Sequence, residues 1–164
     1  KADILITVYP DIILTLTGAD CFPVYFEDRQ AGIIGLAHCG WRGIVAGAIS
    51  ETLQAMERIG GKKSDISITI GPGICAKHFE IQEDIMASFA EYGEFVVKGA
   101  GLHVDLKGIM YKQATTLGVF SEKIIDSGEC TYCLPEKYFS YRRDKPAYLE
   151  NQIAYIVQFP HRKF

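Results

Sequence analysis

Five cysteines, at positions 21, 39, 75, 130 and 133, and four histidines, at 38, 78, 103 and 161, are the side chains best able to do chemistry in this 164-residue chain. The densest arrangement runs from Thr17 to Gly43. Cys21 follows one strand-like run and His38 ends another, so two adjacent strand ends can bring a thiolate and an imidazole together. Cysteine and histidine are common zinc ligands, and a catalytic zinc site keeps three protein ligands and one open position. The same two residue types also serve as nucleophile and base in a metal-free cysteine hydrolase. Spacing alone leaves open a third reading, an inert buried thiol and a hydrogen-bonded histidine.

Four other groups sit near strand or helix ends. Asp20, beside Cys21, can orient a ligand, move a proton or cap a turn. Gly40-Trp41-Arg42-Gly43 lies between a strand and a helix start, where backbone N–H groups attract anions. Arg42 adds a planar fork suited to phosphate or carboxylate. The alternative is a turn in which Trp41 fills core and Arg42 pairs with an acid. Gly71-Pro72-Gly73 ends another strand but lacks the lysine and spacing of a phosphate-binding loop. Its glycines allow close approach to a ligand or to a neighbouring strand. Cys130-x-x-Cys133 has no second such pair to complete a zinc site, and Pro135 argues against a redox pair opening a helix. It is read as a reduced, packed pair, with Cys39 and Cys75 as packing residues. His78 and His103 stay open between ligand, base and structural roles, and His161 is expected to be solvated.

The elements that must position these groups follow from periodicity. Residues 12–16, 23–26 and 32–37 read as strands, with Glu27–Gln30 as a polar hairpin loop. Val45, Ala48, Ile49, Leu53 and Met56 recur at helical spacing and predict one amphipathic helix ended by Gly60-Gly61. Residues 66–70 alternate as a half-buried strand. A helix is expected from Glu83 to Tyr92, another from an Asp105 cap to Leu117, and short strands at 123–126 and 153–157. Residues 130–133 and 139–144 read as irregular. There is no regular βαβ rhythm, which favours an α+β fold.

Composition narrows the field. Apolar residues make up 48% and charged residues 23%, with mean hydropathy +0.08, which excludes a disordered tail or a fibrous repeat. No apolar run approaches a membrane span. Net charge is -3, and no basic stripe suggests a nucleic-acid partner. The length suits one domain. The low, odd cysteine count, with no secretory leader read at the start, points to a reduced, cytoplasmic setting.

Seven motifs then occur in order: Thr17-Gly18-Ala19-Asp20-Cys21, Ala37-His38-Cys39-Gly40-Trp41-Arg42-Gly43, Ile70-Gly71-Pro72, His78-Phe79-Glu80-Ile81, His103-Val104-Asp105-Leu106, Cys130-Thr131-Tyr132-Cys133 and Phe139-Ser140-Tyr141-Arg142-Arg143-Asp144. Together they resemble the YfiH family, also called the laccase-domain or polyphenol oxidase family. The resemblance implies an α+β fold of mixed β-sheets flanked by helices, akin to the catalytic domain of cytotoxic necrotizing factors. It implies one zinc held by His, Cys and His, of which Cys21 and His38 match two. The third family histidine lies upstream of the point where this sequence starts. Residues 1–164 are therefore expected to be a single YfiH-like domain lacking the family's N-terminal segment. After the arginine pair the family continues with a T-G-R-type segment, from which Lys145–Gln152 departs.

The implied activity is phosphorolysis of adenosine, inosine, guanosine and methylthioadenosine, together with adenosine deamination. Cys21, His38 and Asp20 would be catalytic, Arg42 would meet the substrate anion, and the partners would be a purine nucleoside and phosphate. Copper-dependent phenol oxidation is the alternative that the family name carries. Two histidines and a cysteine do not separate copper from zinc, but four histidines with no His-x-His pair rank multicopper oxidation low. The metal-free hydrolase, and a core that folds without a complete site, are the other readings.

Overall fold

A computed structural model describes residues 2–148 and 150–159. The first third of the chain is rich in β-branched and aromatic residues, alternating with polar ones in Leu14–Gly18 and nearly continuous and buried in Ile33–Cys39. It forms β1 (Ile4–Thr7), β2 (Leu14–Gly18), β3 (Phe22–Asp28) and β4 (Ile33–Cys39). Then come α1 (Trp41–Val45), α2 (Ala48–Arg58), β5 (Ser67–Ile70), β6 (Glu80–Ile81) and α3 (Glu83–Met86). A 3-10 segment (Ala87–Phe95) leads into β7 (Val96–Lys98), β8 (Leu102–Val104) and α4 (Leu106–Thr116). β9 (Ile124–Asp126), α5 (Tyr141–Asp144) and β10 (Gln152–Ile156) complete the order.

The main sheet runs β1-β4-β3-β5-β9, antiparallel except for the parallel β5–β9 pair. β2 pairs with β10, and β6, β8 and β7 make a small third sheet. This is an α+β fold of mixed sheets flanked by helices, as the sequence suggested. Alternation assigns the two faces of the main sheet. Val24, Phe26, Ile33, Ala37 and Ile68 pack with Ile49, Leu53 and Met56 of α2 and with Ile109 and Met110 of α4. Ile34 and Leu36 point to the other face, where Leu14 and Leu16 of β2 and Ile156 of β10 join Leu5 and Tyr25. Among the described residues no helix is long and apolar enough to cross a membrane.

Several sequence expectations are corrected. The stretch from 45 to 56 is two helices, because Gly47 turns left-handed at φ +87°, a conformation that costs glycine little. The helix expected over 83–92 is one turn followed by a 3-10 run, with non-helical backbone at Phe89 and Tyr92. Tertiary contacts override the period there: Phe89 is buried against Trp41, and the Tyr92 hydroxyl accepts a hydrogen bond from Gln113. Glu27 and Asp28 are strand rather than loop. Asp28 is buried, and its carboxylate accepts from the backbone N–H groups of Gln30, Ala31 and Lys62. α5 replaces an expected irregular segment and is capped by Ser140, whose hydroxyl accepts from the Arg143 N–H. The Asp105 cap of α4 is found as expected, at 3.1 Å from the Gly108 nitrogen.

Candidate metal centre and adjoining cavity

The β3–β4 register builds the site. Phe22 faces Cys39 and Pro23 faces His38, so Cys21 and Gly40 meet where the pair ends. Gly40 has extended backbone, φ −75° and ψ 163°. A Cβ at this position would lie 3.0 Å from Cys21 Sγ and 3.6 Å from His38 Cε1. The missing side chain thus leaves a cradle flanked by a thiol and an imidazole. Asp3 fixes the ring: its carboxylate is 3.2 Å from His38 Nδ1, and its backbone carbonyl accepts from the His38 N–H at 2.8 Å. Nε2 is then the nitrogen left for a cation or a proton.

Burial, followed by the charges of Asp20 and then Asp3, pushes the Cys21 thiol up to about 11. Without a cation this thiol keeps its proton at neutral pH. The residues present fit a soft or borderline cation, with a sulfur and an oriented nitrogen around a space of atomic size. Among the described residues, no third Cys, His, Asp or Glu joins these two in a three-ligand group.

Asp20 sits at φ +81°, in the left-handed region that few non-glycine residues adopt. Its carboxylate accepts from the Thr131 hydroxyl at 2.6 Å and from the Arg142 N–H at 2.7 Å. Its carbonyl accepts from Ile74 N–H at 2.9 Å. Three distant segments are therefore gathered behind Cys21. The two arginines of α5 extend this network. Arg142 donates through Nη1 to the carbonyls of His78 and Glu80 and lies over the Phe79 ring. Arg143 donates to the carbonyls of Thr131, Tyr132 and Tyr138.

A cavity of about 180 Å³ opens beside Cys21, walled by Trp41, Phe79 and Leu106, with Asp20 and Arg142 also on its lining. Arg42 lies outside this lining, exposed, with its guanidinium 4.3 Å from the Trp41 ring centre. A larger groove of about 530 Å³, lined by Val8, Pro10 and Ile156 among others, contains no thiol or imidazole.

Cys39 is fully buried, and its thiol is pushed up to about 12, chiefly by that burial. His78 stacks on Tyr132 at 3.9 Å, and His103 lies in β8 opposite Glu80 and Val97; neither joins Cys21 and His38 in a three-ligand group. His161 falls outside the described residues. The Gly71–Gly73 turn serves close approach to a strand, since a Cβ on Gly73 would fall 2.3 Å from the Phe22 ring. The Cys130–Cys133 pair, read as reduced and packed, is instead partly open, since Cys133 is exposed, and it is joined by Cys75, read as a packing residue. The sulfurs of Cys75, Cys130 and Cys133 lie within 4.8 Å of one another, a group able to hold a metal ion. Two site residues escaped the sequence reading. Asp3 lies 35 positions from its histidine, so no local spacing could show it. Arg142 stood in a recognised motif, but its partners lie on other segments.

The family model for multi-copper polyphenol oxidoreductase laccase matches residues 1–157. The chain belongs to this family. It is the YfiH family that the seven motifs resemble. The chain is 36% identical over 147 residues to a purine nucleoside phosphorylase of Deinococcus radiodurans, covering 88% of this chain and 56% of that protein. It is 30% identical over 148 residues to adenosine deaminase RL5 of an unknown prokaryotic organism, covering 86% of this chain and 56% of that protein. The crystal structure of YlmD from Geobacillus stearothermophilus superposes with a TM-score of 0.89 at 30% identity, covering 97% of this chain and 62% of that one. The chain thus spans a little over half the length of the curated relatives it matches.

Proposed function

We propose that this chain carries the Cys21–His38 part of a zinc-dependent purine nucleoside enzyme, acting by phosphorolysis of adenosine, inosine, guanosine or methylthioadenosine and by deamination of adenosine. The observation that carries this reading is the Gly40 cradle, in which Cys21 and His38 flank one space beside an apolar, aromatic cavity. The activity names of the two relatives supply the substrate class. When bound, zinc supplies Lewis acidity at a substrate oxygen or an attacking water. The protein's own part is to hold that position. Cys21 gives up its proton to bind, and Asp3 keeps His38 in the tautomer that leaves Nε2 available. Trp41 and Phe79 offer flat apolar faces of the kind that hold purine rings. Arg42, one residue beyond Trp41, extends a planar donor fork toward phosphate, and Asp20 sets the position of Cys21. The remaining ligand, on this reading, is a histidine upstream of residue 1.

The raised Cys21 thiol favours a metal over the metal-free hydrolase, which needs a thiolate at neutral pH. The test uses the full-length protein. Cys21→Ala and His38→Ala are each expected to bind one zinc fewer and to lose more than about 100-fold in both reactions, beyond the range usual for outer-shell changes. Wild-type turnover by Cys21→Ala would overturn the reading. Arg42→Ala is expected to weaken phosphorolysis more than deamination, and equal losses would make this arginine structural.

A further inference from the structure

We infer that Cys75, Cys130 and Cys133 form a second zinc site, apart from Cys21 and His38, with three thiolates as ligands and the fourth position open to solvent. This does not rest on the nucleoside reading. The sulfurs already lie within 4.8 Å of one another. Zinc–sulfur bonds of about 2.3 Å in a tetrahedron need sulfurs roughly 3.8 Å apart, a small contraction for side chains free to rotate about Cα–Cβ.

The backbone is built for it. Leu134 N–H donates to the Cys130 carbonyl at 3.2 Å, closing Cys130–Cys133 into one turn. Gly73 bridges to Cys130, and Thr131 N–H donates to the Gly73 carbonyl, so the loop carrying Cys75 is fastened beside that turn. Cys75 N–H points at Cys130 Sγ at 3.2 Å, the contact that steadies a sulfur in its charged, metal-binding form. Burial is graded: Cys130 is buried, Cys75 half-buried and Cys133 exposed. An ion can enter from the Cys133 side and find two anchored ligands. An all-sulfur set rejects magnesium and calcium and suits zinc.

The consequence is mechanical. The two segments that such an ion would join also hold Asp20, through Ile74 N–H and the Thr131 hydroxyl. Zinc here clasps the loops behind Cys21 without touching substrate.

The test is cobalt(II) titration and zinc analysis of the full-length Cys21→Ala protein, which silences the first site. One equivalent of zinc should remain, and cobalt should give sulfur charge-transfer bands of three thiolates. Cys133→Ser, at an exposed position, should fold normally, lose about a third of that intensity and bind at least tenfold more weakly. Chelation should lower the melting temperature of Cys21→Ala by more than that of the Cys21→Ala/Cys133→Ser double variant. The inference is overturned if Cys21→Ala takes up neither metal, or if the cobalt spectrum ignores Cys133→Ser. Copper in place of zinc in the purified protein, or a mass two hydrogens light from a Cys130–Cys133 disulfide under reducing purification, overturns it equally.

Discussion

A methyl group at position 40 would stand 3.0 Å from Cys21 Sγ, while the backbone there suits any residue. Gly40→Ala is therefore expected to keep stability within about 1 kcal/mol and to weaken zinc binding at Cys21 and His38. Calorimetric titration beside thermal melting checks this, and unchanged affinity would place the ion elsewhere. Asp3→Asn removes the charge that orients His38, and about 10–100-fold weaker binding should follow. The Cys21 thiol sets a pH dependence. Its ordinary value is 9.0, and in the fold it is raised to about 11, chiefly by burial. The folded protein without metal therefore holds this proton more tightly than the unfolded chain. That contribution to stability is complete below pH 9 and is lost as pH rises through 11. Zinc must displace the proton, so affinity should rise about tenfold per pH unit near neutrality. Titrations in buffers of different ionisation enthalpy should show one proton fewer released by Cys21→Ala than by wild type. The Cys21–His38 juxtaposition was legible as two strand ends, although it is the start of β3 rather than the end of β2 that meets the end of β4, and Gly40 was read only as part of a turn. Asp3 was not legible, because only the pairing of β1 with β4 brings it to His38.

Among the elements, α4 was readable from its Asp105 cap, which the structure keeps at the start of a helix running from Leu106 to Thr116. Asp105→Ala should cost about 1 kcal/mol in urea denaturation; no change would mean the cap hydrogen bond contributes nothing. The α1–α2 break was hidden because the turn at Ala46-Gly47 leaves the helical spacing of Val45, Ala48 and Ile49 intact. The third sheet was hidden for a different reason: strands of two or three residues are too short to show a period. Gly73, in the loop after β5, packs its backbone against the main sheet. Its Cβ would meet three atoms of the Phe22 ring at 2.3–2.6 Å, so Gly73→Ala should destabilise by roughly 1–3 kcal/mol, read by thermal melting.

At the scale of the molecule, the main sheet is covered by helices on one face and by β2 with β10 on the other. Gln152 pairs with Gly18 and Ile156 with Leu14, so an early strand waits for a partner roughly 130 residues later, a loop that is slow to close. A ribosome making this chain releases Leu14, Ile34 and Leu36 long before Ile156 exists to help cover them. Nascent chains stopped short of residue 152 should accordingly bind an apolar dye or a chaperone, and chains that have cleared β10 should not. Completion of β10 decides when this face of the main sheet stops being sticky.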